Sequence, residues 1–163
     1  VSAQPHDEPR AEAETVNEAL RTYGAAYAQV GRAFAAREDL HSTDAAAMIE
    51  ILAAEDAGEP LSPAKLSERI GLSFGATSTL LNRLEAVGHI TRSRTHSDRR
   101  IVTLHSTPGV QELADAFFDP LGERLARKMS ERSPEFLLEF AQLLTELRLE
   151  MLDYITSDEA VEP

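Results

Sequence analysis

The chain has 163 residues, no cysteine and a formal charge of −12, from 16 basic and 28 acidic residues. That length suits one ordinary domain with a real core, and the missing cysteine excludes disulfides, thiolate metal sites and thiol redox sensing. No run approaches the roughly 18 apolar residues of a membrane span, and the start, VSAQPHDEPRAEAE, has neither the basic nor the apolar region of a secretory signal, so no membrane partner and a cytoplasmic location are expected.

Residues 1–10 hold Pro5 and Pro9 and little that could pack, and read as a loose tail. From Ala11 to about Arg37, Val16, Leu20, Tyr23, Tyr27, Val30 and Phe34 recur at steps of three and four, the period of a long amphipathic helix. LHST breaks it, and a second helix runs roughly Asp44–Asp56 with Ala47, Met48, Ile51 and Leu52 as its stripe. In LSPAKLSERIGLS, Ser62 is a good N-cap and Pro63 falls where its missing N–H costs nothing. Leu66 and Ile70 face inward and Gly71 ends this helix. Ser73 can cap another that runs to Val87 before Gly88 stops it. Two helices joined by a three-residue turn have helix-turn-helix spacing. HITRSR and RIVTLH then alternate in part as short strands around THSD. Thr107 caps a helix from Pro108, with Val110, Leu113, Phe117, Leu121 and Leu125 on its inner face. Ser133 and Pro134 open a last helix with a stripe through Phe136, Phe140, Leu143, Leu144, Leu147, Met151 and Ile155.

This order predicts a mainly α fold with a small β wing, a winged helix-turn-helix core flanked by long N- and C-terminal helices. The divisions are a tail over 1–10, an N-terminal dimerisation helix over 11–40, a winged helix-turn-helix lobe over 41–107, C-terminal dimerisation helices over 108–156 and a tail over 157–163. Long terminal helices with wide apolar faces need something to pack on, and a partner subunit is the simplest supply.

Charge is unevenly spread along this order. Between Leu61 and Gly109 there are seven basic residues and three acidic ones, a surplus of four positive charges inside an acidic frame. A footprint for a polyanion is read locally. On the helix from Phe74, Ala76, Leu80, Leu84 and Val87 gather on one side at 100° per residue. Phe74, Gly75, Ser78 and Asn82 gather opposite, with Thr79 at the edge. A face of hydroxyls, an amide and a glycine fits a major groove without bulk, and its capped start offers N–H groups to a phosphate. Asn82 could pair with adenine, and Ser78 or Thr79 with a base or a phosphate. The alternative is a plain surface helix. Phe74 is better placed against Leu66 or the turn than in solvent. Arg83 projects beside the core stripe, to reach the DNA backbone or to pair with Glu85 or another acid.

Arg92, Arg94, Arg99 and Arg100 surround the hairpin tip, where a basic ribbon can enter a minor groove or lie along phosphates. Alternation separates the two adjacent arginines: Arg100 is expected to pair with Asp98 and shape the loop, and Arg99 to contact DNA, though a shift of register would exchange them. His89, His96 and His105 lie near the hairpin with Asp98 but match no standard ligand spacing, so no metal is expected. No cofactor fingerprint and no catalytic set is present, so an enzyme is not expected.

The stretch LSPAKLSERIGLSFGATSTLLNRLEAVGHITRSRTHSDRRIVTLHSTPG resembles the core of the MarR family of bacterial transcriptional regulators. The likeness rests on PAKLSERI, the turn GLS, LLNRLEAVGHI and DRR in the wing before a T-P start. It implies a homodimer with intertwined first and last helices, bound to a pseudo-palindromic operator on double-stranded DNA, usually as a repressor. The family's recognition positions fall on Phe74, Gly75, Ser78, Thr79 and Asn82, its wing arginine on Arg99 and its Asp–Arg pair on Asp98 and Arg100. Many members release DNA when a small phenolic or aromatic anion enters a crevice. Here Tyr23, Tyr27, Phe34, Met48 and Phe117 could line it, though all five serve equally as core. One departure stands out: the expected LT-x-x-G appears as LHSTPG, with His105 and Ser106 inserted, so the second wing strand should be longer or bulged. A rival reading keeps the winged helix as scaffold for acidic helices that bind a protein partner.

Overall fold

Serine caps and glycine stops set the helix limits where the sequence marks them. The computed structural model describes residues 8–94 and 102–157. The elements are α1 (Glu8–Arg37), α2 (Ser42–Asp56), α3 (Pro63–Ile70), α4 (Phe74–Ala86), β1 (Ile90–Arg94), β2 (Val102–Ser106), α5 (Pro108–Met129) and α6 (Pro134–Thr156). The fold is the mainly α winged helix-turn-helix that the sequence predicts. Ser62, Ser73 and Ser133 each accept, through Oγ, the amide three residues on, at 3.3, 3.3 and 3.2 Å. Each cap satisfies an orphan donor of its helix. Gly71 (φ +64°) and Gly88 (φ +76°) take the left-handed conformation that ends α3 and turns the chain from α4 into β1. Ser67 Oγ donates to the Leu72 carbonyl at 2.6 Å and fixes the three-residue turn between α3 and α4. Thr107 precedes α5 as expected, and its hydroxyl donates to the Gly88 carbonyl at 2.9 Å, tying the helix start to the wing's entry.

The chain divides into two units, one ending at Ala114 and one beginning at Asp115. The first holds α1–α4, the wing and the start of α5. Its core includes Phe34, Met48, Ile51, Leu61, Leu66, Leu80, Leu81, Leu84, Ile90, Leu104 and Val110, all at most 3% exposed. Each such side chain contributes roughly 1.5–3 kcal/mol by leaving water. Most of α1 lies outside this core. Val16, Tyr23 and Tyr27 are exposed, and Phe34 and Ala35 are its buried residues. In the second unit, α6 buries nothing: Phe136, Phe140, Leu143, Met151 and Ile155 of its predicted stripe are all exposed.

Two local expectations are corrected. The buried side of α4 is Thr77, Leu80, Leu81 and Leu84, while Ala76 and Val87 face solvent. The polar Thr77 can sit at this core position because its hydroxyl donates to the Ser73 carbonyl at 3.0 Å. The helix is thereby rotated from the apolar-only stripe. The second concerns β2, expected to be longer or bulged: over its described residues it carries no bulge. It pairs antiparallel with β1 in unbroken register, Ile90 with Ser106, Thr91 with His105, Arg92 with Leu104, Ser93 with Thr103 and Arg94 with Val102. The Leu104 amide also donates to the Leu61 carbonyl at 2.8 Å, fastening β2 to the segment before α3.

One buried charge links the helices. Asp44, in the first turn of α2, is 4% exposed. Its carboxylate takes Arg83 of α4 in a two-point grip, Nε at 2.8 Å and Nη2 on the other oxygen. The hydrogen bond to Asp44 is the main cause that raises the Arg83 pKa. Desolvation opposes it, and the carboxylate's charge adds to it. A raised cationic pKa stabilises the fold fully below the ordinary guanidinium value and stops doing so only as pH rises past it. On the arginine side the pair therefore holds throughout the neutral range.

Removing either partner strands the other, with Asp44 the more costly to leave alone. Arg83→Ala and Asp44→Ala should each lower the thermal midpoint by several degrees. The double variant should lose clearly less than the sum of the two. Circular dichroism melts check this, and additive losses would contradict the pairing.

Candidate nucleic-acid interface

The outer side of α4 is assembled by its cap and by the burial of Thr77. Phe74, Gly75, Ser78, Thr79 and Asn82 are all exposed, and no charged residue occurs from Phe74 to Asn82. Ser73 holds one amide of the helix start, and the first turn carries no acid. The positive end of the helix dipole there is thus unopposed. Thr79 Oγ1 donates to the Gly75 carbonyl at 3.1 Å, which leaves its lone pairs as acceptors. Asn82 Oδ1 accepts Arg92 Nη2 at 2.9 Å. Among the described residues the amide nitrogen of Asn82 has no partner, so its donors remain for an external acceptor.

Arg92, which the sequence reading grouped with the tip arginines, is instead a positioning residue. Besides Asn82 it reaches Glu85 Oε2 at 3.0 Å, so one guanidinium bridges β1 to α4. Its place opposite Leu104 puts it on the wing face that carries the buried Leu104 and Ile90. Arg94, at the end of β1, is exposed and makes no ion pair among the described residues. Arg83, expected on the interface, is instead engaged with Asp44. His96, Asp98, Arg99 and Arg100 lie outside the described residues, and with them the expected Asp98–Arg100 pairing and the Arg99 contact.

Phe74 also departs from expectation. It is 66% exposed, and Leu66, its expected partner, is fully buried. The ring borders a shallow groove of about 570 Å³ with Pro63, Lys65, Val102 and Thr103, between the starts of α3 and α4 and the wing.

A second set of contacts ties the wing to α2, through the two inserted residues. Glu55 Oε2 accepts the Ser106 amide at 2.9 Å and the Ser106 hydroxyl, while Oε1 meets His105 Nδ1 at 3.0 Å. His105 Nε2 lies 2.9 Å from Ser93 Oγ and 3.0 Å from Thr103 Oγ1, hydroxyls that can each donate or accept. Gln111 Nε2 donates to Ser106 Oγ at 3.0 Å. Nothing in the sequence pairs residue 55 with residues 105 and 106, since this contact exists only in three dimensions.

The five crevice candidates separate. Phe34 and Met48 are core residues, at 0% and 2% exposure. Tyr23 and Tyr27 are exposed and stack on one another, with ring centroids 6.4 Å apart. Phe117, in the second unit, meets Phe118 edge-on at 4.9 Å. Within the first unit, α1, α2 and α3 enclose a groove of about 300 Å³ whose walls include Tyr27, Gly31, Arg32, Ile49 and Arg69. Arg69 is paired with Glu50 at 3.1 Å, whereas Arg32 has no ion pair among the described residues. No described helix is long and apolar enough to cross a membrane.

Residues 35–102 match the model of the MarR family. The HTH-type transcriptional regulator YcgE of Bacillus subtilis is 28% identical over 97 residues, covering 58% of this chain and 63% of that regulator. The match thus spans less than two thirds of the relative's own length. Among solved structures, a MepR mutant from a multidrug-resistant S. aureus clinical isolate superposes with a TM-score of 0.65 at 17% identity, covering 83% of this chain and 96% of that one. FabT of Streptococcus pneumoniae, solved in complex with DNA, superposes with a TM-score of 0.59 at 20% identity, covering 86% and 98%. These two likenesses establish the shared fold.

The Glu55 contacts predict a local effect. Glu55→Ala should speed amide exchange at Ser106 by about tenfold or more, because hydrogen bonds to a charged acceptor are lost. Exchange in α6 should not change. Hydrogen exchange read residue by residue checks this, and an unchanged Ser106 amide would refute the tie.

Proposed function

We propose, from the match of residues 35–102 to the MarR family model, that the chain is a transcriptional regulator that binds double-stranded DNA by sequence. The observation that carries this reading is the capped, uncharged, exposed face of α4, set after a three-residue turn and followed by a wing whose first strand ends at the exposed Arg94. Ser78, Thr79 and Asn82 supply the short donors and acceptors that read base edges. Arg94, with Arg99 of the wing, supplies the phosphate contacts, while Arg100 pairs with Asp98 to shape the loop. FabT, with the same fold, was solved bound to DNA.

The regulator acts as a homodimer. The apolar side chains of α6 and the outer part of α1 are too extensive to remain in water, and a second copy is the occupant that the chain itself supplies. A two-fold dimer calls for a pseudo-palindromic operator, with half-sites about one helical turn apart. It represses, and a small aromatic or anionic effector relieves it. The groove beside Tyr27 and Arg32 is of a size and chemistry to admit such a molecule. The place of action is the cytoplasm, with no metal or resident cofactor involved. The acidic character outside residues 61–109 supports a second reading, in which the outer helices bind a protein partner and the wing is scaffold.

Salt separates these readings. Duplex affinity should fall steeply as salt rises, and Arg94→Ala should flatten the log–log slope by about one. Ser78→Ala and Asn82→Ala should each weaken binding to the preferred sequence by about tenfold and leave non-specific binding nearly unchanged. Fluorescence anisotropy across a salt series measures both, and no duplex binding at low salt would overturn the proposal. Sedimentation should find a dimer that Met151→Asp combined with Ile155→Asp dissociates. A wild-type monomer would overturn the dimer.

A further inference from the structure

We propose that Phe74 is a specificity-determining residue that reads the 5-methyl group of a thymine in each half-site. The inference rests on the DNA-binding reading above and deepens it. Phe74 opens α4 directly after the capping Ser73, the end of a recognition helix that meets base edges in this docking geometry. Its ring is 66% exposed and has no ring partner among the described residues. Folding leaves most of it in water, whereas Leu66 and Leu81 of the core are sealed to 0% and 1%. Large apolar side chains that stay in water at a functional surface mark contact with a partner.

The chemistry of the groove narrows that contact. The hydrogen-bonding groups of the major groove are donors and acceptors, and the one apolar group that projects among them is the thymine methyl, where cytosine has only a C5–H. A phenyl ring set against a donor or acceptor would desolvate it without replacing its hydrogen bonds. Against a methyl group, both partners lose only apolar hydration. The neighbours permit the approach. Gly75 has open space where a side chain would begin, and Ser78, one turn on, is exposed and short. The shallow recess that Phe74 shares with Pro63, Ser78, Arg92 and Val102 gives the ring room to turn toward a base without disturbing the core.

The test removes one methyl group at a time. A preferred duplex is selected from a randomised pool with the full chain. Each thymine is then replaced in turn by deoxyuridine, which keeps every hydrogen-bonding group. At fixed salt, one position per half-site should weaken wild-type binding by about fourfold, the value of one buried methyl group. Phe74→Ala should bind the selected duplex more weakly and be indifferent to that substitution, while Phe74→Leu should retain part of the sensitivity. Thermal melts matching wild type show that both variants are folded, as an exposed position predicts. If wild-type binding is selective yet no deoxyuridine position matters, or the penalty persists undiminished in Phe74→Ala, the methyl contact is wrong and the regulator reading stands. If no duplex can be selected at all, the regulator reading fails and takes this inference with it.

Discussion

The grip of Asp44 on Arg83 sets what α4 can offer to a partner. A carboxylate buried at the start of α2 is tolerable only because the helix dipole favours it there and because a guanidinium closes over both oxygens. That same closure draws Arg83 toward α2. Together with Thr77, whose hydroxyl is satisfied within its own helix, it fixes the rotation of α4 about its axis. The side left outward is the short, uncharged row from Gly75 to Asn82, and the helix arrives at its surface already oriented. The stabilising pair and the exposed face of α4 thus follow from one packing arrangement.

The wing is held from two sides by unrelated means. Arg92 joins β1 to α4 through Asn82 and Glu85, and Glu55 joins β2 to α2 through His105 and Ser106. Both ties reach the base of the hairpin, while Arg94 at its far end stays unpaired among the described residues. The division suits a module that must hold its geometry and still spend cations on phosphates. It also explains how a chain with a net charge of −12 can present a basic edge. Among the described residues, Glu55 and Glu85 beside the wing are engaged by particular partners instead of forming an opposing field.

Element order, caps and stops were legible in the sequence because they rest on local chemistry. Ser62, Ser73 and Ser133 announce helix starts within three residues of the amides they hold, and Gly71 and Gly88 need only their own backbone freedom. The outward placement of Ser78, Thr79 and Asn82 followed from helical period. The contacts made across the fold were not legible. Arg83 looked like a surface cation because Asp44 lies 39 residues away in the chain, and Glu55 is 50 residues from His105. The rotation of α4 was misjudged because a buried threonine breaks the rule that apolar residues mark the inner face. Phe74 was assigned to packing from its hydrophobicity and to recognition only through the family resemblance, and its 66% exposure goes against the packing. The inserted His105 and Ser106 were visible as a departure, but their use as ligands of Glu55 needed the register of β2.

The long outer helices state a further constraint, since α6 buries none of its apolar side chains within one copy. The homodimer proposed above would cover them, and a two-fold assembly would carry two α4 faces and two wings along one duplex. Hydroxyl-radical footprinting of a selected duplex tests this account most directly. The account predicts symmetric protection about a dyad, with two tracts centred about one helical turn apart, roughly 34–36 Å, and flanking minor-groove protection from the wings. A single unpaired tract, or uniform cleavage in the presence of saturating protein, would contradict it.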